Sequence, residues 1–201
     1  MTSSVQQKWD KKYQNTDLNT PANPCYALKQ HSHLLPFKGR ALELACGLGG
    51  NARFLAQCGL KVDAWDISDN ALTVLNNWAN IHHLAITPLI TDLEQMILPY
   101  QQFDVIVVSR YLDRKLFPAL MDALKPNGLL FYQTFLAPVQ ENAPRNPNFY
   151  VKSGELNQAW PRLQTVVYGE GWLVNENQTS TNCEPLKHRN AWYIGRKKTN
   201  Y

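Results

Sequence analysis

The chain has 201 residues, of which 44% are apolar, 11% aromatic and 18% charged. That length suits one compact unit, and the apolar share excludes a disordered or collagen-like chain. Twenty Lys and Arg against sixteen Asp and Glu leave a net +4, which reads as a mildly basic solvated surface rather than the concentrated basic face of a nucleic-acid binder.

No run approaches the roughly 18 consecutive apolar residues of a membrane span. The opening MTSSVQQKWDKK has no apolar core behind its charges, which argues against a secretory signal. The expectation is a soluble, cytoplasmic protein with no membrane partner. Cys25, Cys46, Cys58 and Cys183 are scattered, with neither a CxxC nor a His pair at zinc spacing. No metal site is expected, and in a reducing compartment all four thiols should be free.

In chain order, Val5, Trp9 and Tyr13 recur every four residues between Ser3 and Asn15, one face of an amphipathic helix. Pro21 and Pro24 interrupt before a second short helix over Cys25 to His33. Ala41 to Cys46 then reads as a buried strand, Gly47-Leu48-Gly49-Gly50 as a turn, and Asn51 to Gln57 as a helix stopped by Gly59. The unit recurs: strand Lys61 to Ile67, a Ser68-Asp69 cap, helix Ala71 to Ala79, and strand Leu84 to Ile90. Phe103 to Val108 is a β-branched run expected for a strand buried on both faces. Leu112 to Leu124 reads as a helix ended by Pro126-Asn127-Gly128, and Leu129 to Phe135 as the fifth strand.

Residues 137 to 151, with three prolines and three asparagines, read as a long loop. Ser153 is the expected cap of a short helix, Leu156 to Trp160. Two further strands, Leu163 to Tyr168 and Trp192 to Arg196, are joined by the polar stretch Asn175 to Asn190 and form an antiparallel edge. Alternating strands and helices imply a three-layer αβα sandwich on a mostly parallel, seven-stranded sheet. The expected division is an N-terminal helical lid, residues 1–38, over one compact domain, residues 39–201.

The informative segment is Glu43-Leu44-Ala45-Cys46-Gly47-Leu48-Gly49-Gly50-Asn51. A glycine-rich turn at the carboxyl end of the first strand is where open α/β sheets bind ligands. Asp66 ends the second strand, as a carboxylate accepting from two ribose hydroxyls would. Asp92 follows the third, placed for an adenine amino group. Glu43 is a charge inside a buried strand and needs a cationic or hydrogen-bonding partner. Together the three carboxylates point to an adenosine ligand that also carries positive charge.

On these residues the chain resembles the class I S-adenosylmethionine-dependent methyltransferases: ALELACGLGGNARFLA, Trp65-Asp66, Thr91-Asp92-Leu93 and FDVIVVSRYL carry the likeness. Trp9-Asp10-Lys11-Lys12-Tyr13 is similar to the WDxxY element of the tellurite-resistance and thiopurine small-molecule enzymes. The resemblance implies a Rossmann-like fold and S-adenosyl-L-methionine as cofactor. It places Gly47 and Gly49 under the methionine part, Glu43 at its ammonium, Asp66 at the ribose, and Ile67 and Ser68 beside the adenine. Asp92 would bind adenine N6 with Leu93 packed nearby. Ser109 and Arg110 would line the passage to the acceptor, while Tyr13, Ala45, Cys46 and Asn51 complete the cofactor-binding set. Ala45 departs from the family, which often has a first glycine there.

The implied activity is methyl transfer in line to a small-molecule acceptor, an oxyanion such as tellurite or a thiol. An activated methyl requires alignment and exclusion of water before it requires a base. No catalytic residue is assigned. Arg110 and Tyr111 are candidates, and His31, His33 and Asp113 read better as helix-end or capping residues. Arg110 would hold an anionic acceptor or the cofactor carboxylate, or else pair with Asp113. Trp9 and Tyr13 either close a lid or pack their helix on the sheet.

The segment Ser109-Arg110-Tyr111-Leu112 lacks the Asn/Asp-Pro-Pro-aromatic motif of base and glutamine methyltransferases, so nucleic acid is disfavoured as substrate. The alternatives are a nicotinamide-dependent oxidoreductase, whose G-x-G-x-x-G fingerprint is not met, an RNA or protein methyltransferase using the basic Arg196-Lys197-Lys198 tail, and a related binding protein without turnover. The oligomer expected is a monomer or homodimer.

Overall fold

The computed structural model describes residues 3–179 and 185–199; Cys183 lies outside them. Five strands form the parallel part of the sheet: β1 (Arg40–Leu44), β2 (Lys61–Asp66), β3 (Ile86–Ile90), β4 (Phe103–Ser109) and β5 (Leu124–Leu136). A two-residue β6 (Tyr150–Val151) pairs in parallel with Phe135 and Leu136 of β5. The long hairpin strands β7 (Leu163–Thr179) and β8 (Pro185–Lys197) complete an eight-stranded sheet of order β3-β2-β1-β4-β5-β8-β7, with β6 off this path. β8 is antiparallel to both of its neighbours.

Alternation along the strands sorts the core onto two faces. Ala41, Val62, Ala64, Val105, Val107 and Phe131 pack against α2 (Tyr26–Gln30), α3 (Gly50–Gln57) and α4 (Asp69–Ile81). Leu42, Leu44, Ile106, Val108, Leu130 and Tyr132 pack on the other face against α5 (Phe117–Ala123), α6 (Glu155–Ala159) and Trp160. The result is the expected αβα sandwich. α1 (Ser4–Tyr13) buries no residue of its own and is held mainly on α4. No helix among the described residues is long and apolar enough to cross a membrane.

Several boundaries differ from the sequence expectations. β1 stops at Leu44, not Cys46, because Ala45 turns left-handed at φ 52°. The helix expected over Leu112 to Leu124 starts at Phe117. Before it, Asp113 caps a single 3-10 turn (Arg114–Leu116) by accepting from Lys115 N, Pro118 occupies the first helical turn, and Leu124 already belongs to β5. The Pro126-Asn127-Gly128 turn is absorbed into β5 as an irregularity opposite the start of β4. Gly154, left-handed at φ 79°, stands at the cap position assigned to Ser153, whose hydroxyl instead donates to Glu170. The 137–151 loop contains a 3-10 turn (Pro147–Phe149) and β6. Most of the polar stretch from Asn175 belongs to the β7–β8 hairpin rather than to a connector.

Candidate active site

The sheet order reverses between β1 and β4, and the crevice at such a switch point is the ligand site of open α/β sheets. Both strands end there in the left-handed region, Ala45 at φ 52° and Arg110 at φ 56°. Each strand thus ends in a sharp turn at this edge of the sheet, and the glycine turn follows directly on β1.

Glu43 projects from β1 onto the α3 face and is 2% exposed. Its Oε1 accepts from Asn51 Nδ2 and its Oε2 from Ala52 N, both at 2.7 Å. Burial outweighs these bonds and raises its pKa to about 8. Asn51 also donates to Ser109 Oγ (3.1 Å) and accepts from Cys25 N (2.8 Å). One amide thus joins β1, β4 and the segment leading into α2.

Asp66 closes β2, with Oδ2 accepting from Gly47 N (2.7 Å) and Oδ1 from Ser68 N (2.9 Å). Burial raises its pKa against the pull of these amides. Gly47 and Gly49 are left-handed (φ 53° and 73°). A Cβ on Gly47 would stand 2.6 Å from the Tyr13 hydroxyl, and one on Gly49 would stand 2.5 Å from Leu75. The turn is therefore pressed between α1 and α4 and admits no side chain at either position.

α1 reaches this turn through Asp10, which accepts from Ser68 Oγ at 2.7 Å while its carbonyl accepts from Asn70 Nδ2. Burial raises the Tyr13 phenol, and the Asp66 carboxylate adds to that shift. The Lys12 ammonium stands 4.5 Å from the Trp9 ring centre and 5.4 Å from that of Tyr13. Partial burial lowers its pKa, as does the nearby Arg110 guanidinium. Two cations, Lys12 and Arg110, and three carboxyl groups, Asp10, Glu43 and Asp66, therefore lie around the turn.

The other expected residues are placed as follows. Ile67 follows Asp66 half-buried, and Cys46 is buried, with burial holding its thiol well above the usual range. Asp92 accepts from Glu94 N and Gln95 Nε2 in its own turn, beside a buried Leu93 that belongs to the core. Arg110 N donates to Gln133 O. Tyr111 is raised to about 12 by burial, so its phenol stays protonated at neutral pH. His31 and His33 pack on each other at a 3-10 turn (Ser32–Leu34).

Sequence reasoning missed three polar residues on this side. Gln133 is 5% exposed and accepts from Ala27 N at 2.9 Å. A lone amide inside LLFYQTF carries the same signal as Glu43 inside ALEL. His188 and Asn190 of β8 are also buried, and His188 Nε2 meets Asn142 O at 3.1 Å; nothing distinguishes them within a stretch that reads as polar.

The donor set suits a cofactor of net positive charge. Glu43 and Asp66 are buried acceptors with lone pairs beyond those used by the protein, and they flank the glycine turn.

A family model described as a methyltransferase domain matches residues 41–128. The probable S-adenosyl-L-methionine-dependent methyltransferase TehB of Haemophilus influenzae is 24% identical over 166 residues, 79% of this chain and 57% of that protein. Its solved structure superposes with a TM-score of 0.74 at 21% identity, covering 96% of this chain and 67% of the other. The ubiquinone biosynthesis O-methyltransferase of Coxiella burnetii is 30% identical over 113 residues, 53% of this chain and 48% of that protein. A structure described as converting a disulfide bond into a thioacetal group during echinomycin biosynthesis has a TM-score of 0.74 at 18% identity, covering 98% and 94%. The chain spans about half the length of the curated relatives it matches. In fold over nearly all its length, and in sequence over residues 41–128, it resembles the class I S-adenosylmethionine-dependent methyltransferases, TehB among them.

Proposed function

We propose that the protein is an S-adenosylmethionine-dependent methyltransferase that transfers a methyl group to a small-molecule acceptor, an oxyanion such as tellurite or a thiol, in a cytoplasmic setting. The observation that carries the reading is the pair of buried carboxylates, Glu43 and Asp66, at the ends of adjacent strands around the Gly47–Gly49 turn. When bound, the cofactor supplies an activated sulfonium methyl. Asp66 would accept from the ribose hydroxyls, Glu43 would meet the ammonium and Asp92 the adenine amino group. Ile67, Ser68 and Leu93 would frame the base, and Ala45, Cys46, Asn51, Ser109 and Tyr13 would line the remainder. Arg110 with Lys12 gives the acceptor side a positive character that suits an anion. A sulfur acceptor has support in the echinomycin structure, whose described chemistry forms a thioacetal. Cys25, Cys46 and Cys58 are free thiols, in keeping with a reducing compartment.

Residues 1–38 serve as the lid, with α1 anchored through Asp10 and Tyr13 over the turn. Because Tyr111 holds its proton, it acts as a hydrogen-bond donor rather than a base. Alignment between Arg110 and Ser109 and exclusion of water by α1 are the chain's contributions to rate.

Calorimetric titration with S-adenosylmethionine, S-adenosylhomocysteine and NADH tests this. Saturable binding of the first two, lost in Asp66→Ala, is expected. Binding of NADH alone would instead identify an oxidoreductase. Turnover is then assayed first with tellurite and with a thiol.

A further inference from the structure

The opposite pole of the sheet has a character that the candidate active site does not use. The parallel strands begin there and β8 ends there, with Arg196 across from Leu129. Two cavities open on this pole, of about 750 and 260 Å³, and Asp104 lies in the wall of both, so they are adjacent compartments of a trough divided at Asp104.

Lys38, Arg40, Lys61 and Lys125 line the larger cavity and Arg196 the smaller. Two carboxylates face these five cations, and both are engaged. Asp63 pairs with Arg40 at 2.7 Å and Asp104 with Lys125 at 2.7 Å, while Asp104 also accepts from Arg40 N. Among the described residues no carboxylate pairs with Lys38, Lys61 or Arg196. One exposed aromatic stands next to lining residues in the chain: Phe37, flanked by Pro36 of the smaller cavity and Lys38 of the larger, is 100% exposed.

We propose that this trough binds single-stranded nucleic acid as a tether, remote from methyl transfer. Unpaired cations along a groove track a phosphate backbone, and an exposed ring beside it offers a stacking face to an unpaired base. The cationic groups line the walls of these cavities, a path that a flexible strand can follow. A duplex, with its bases already stacked on one another, makes no use of Phe37. The net +4 of the composition conceals this, because most acidic residues stand elsewhere.

The test is fluorescence anisotropy with a short mixed-sequence RNA oligonucleotide between about 50 and 200 mM salt. Saturable binding is expected that weakens at least about tenfold in Lys38→Glu/Lys61→Glu, with a salt slope shallower by about two phosphate contacts. Phe37→Ala should weaken binding about five- to tenfold without changing the slope, and Phe37→Trp should restore it. All three side chains are exposed, so folding is not at stake. The proposal is overturned by absence of saturable binding at low salt, by binding that the double substitution leaves unchanged, or by a preference for duplex. Equally tight, Phe37-dependent capture of phosphatidylglycerol vesicles would also overturn it, in favour of a membrane surface.

Discussion

Ala45 sits in the left-handed region, where a Cβ crowds the following carbonyl and costs about 1–2 kcal/mol. Glycine there removes that strain but adds freedom to the unfolded chain. Ala45→Gly should therefore stabilise the protein by a net of about 0.5–1 kcal/mol, an upward shift of about 1–3 °C in the thermal midpoint. Glu43 makes a pH-dependent contribution. Its folded pKa of about 8 lies above its ordinary 4.5, so the folded chain holds the proton more tightly than the unfolded one. That contribution is complete below about pH 4.5 and is lost as the pH rises through 8. The midpoint of ligand-free protein should fall between these limits, and Glu43→Gln should flatten the decline, leaving the smaller part due to Asp66, which shifts the same way. Parallel curves for the two proteins would remove Glu43 from the account. Glu43 was legible because a charge within ALEL has no apolar explanation. The strain at Ala45 was not, because alanine ordinarily avoids the left-handed region and nothing local in ALELAC signals that the chain turns there at the end of β1.

At the scale of elements, α1 and α2 are held by different means. Asp10 supplies the N-terminus of α4 with an acceptor for Ser68 Oγ and Asn70 N, yet α1 buries no residue. Asp10→Ala removes a cap worth about 1 kcal/mol and releases the helix from the turn. Trypsin should then cut after Lys11 or Lys12 several times faster, while the thermal midpoint falls only a few degrees. The segment entering α2 is bound instead by two buried side chains, Asn51 to Cys25 N and Gln133 to Ala27 N. Periodicity located α1, and the second helix, expected over Cys25 to His33, ends at Gln30 before a 3-10 turn; neither reading held information on this contrast, since the partners lie 26 and 106 residues away. The core strands were read with small boundary shifts because both faces are covered and their apolar runs are continuous. β7 and β8 outran their readings because their length follows from each other's register, which no local pattern encodes.

For the whole molecule, the order of the sheet decides what a shortened chain can do. β8 lies between β5 and β7, so the last of the described strands sits inside the sheet and β7 reaches the rest only through it. A chain stopped after Thr179 should lose both ladders together, expose the β5 backbone from Leu129 to Phe135, and pellet on expression while the 201-residue chain stays in solution. The same placement sets a timetable for synthesis. While a ribosome still holds the residues from Ala191 to Lys197, β5 has no neighbour on that side and both core faces are incomplete at their edge. Most of the polypeptide must therefore wait, with a paired but unfinished sheet, until Ala191 to Lys197 emerge and the native state becomes available. Slowing translation of the codons for β7 and β8 should lengthen that wait and raise the demand for chaperones, whereas slowing it over the codons before β1 should leave yield unchanged.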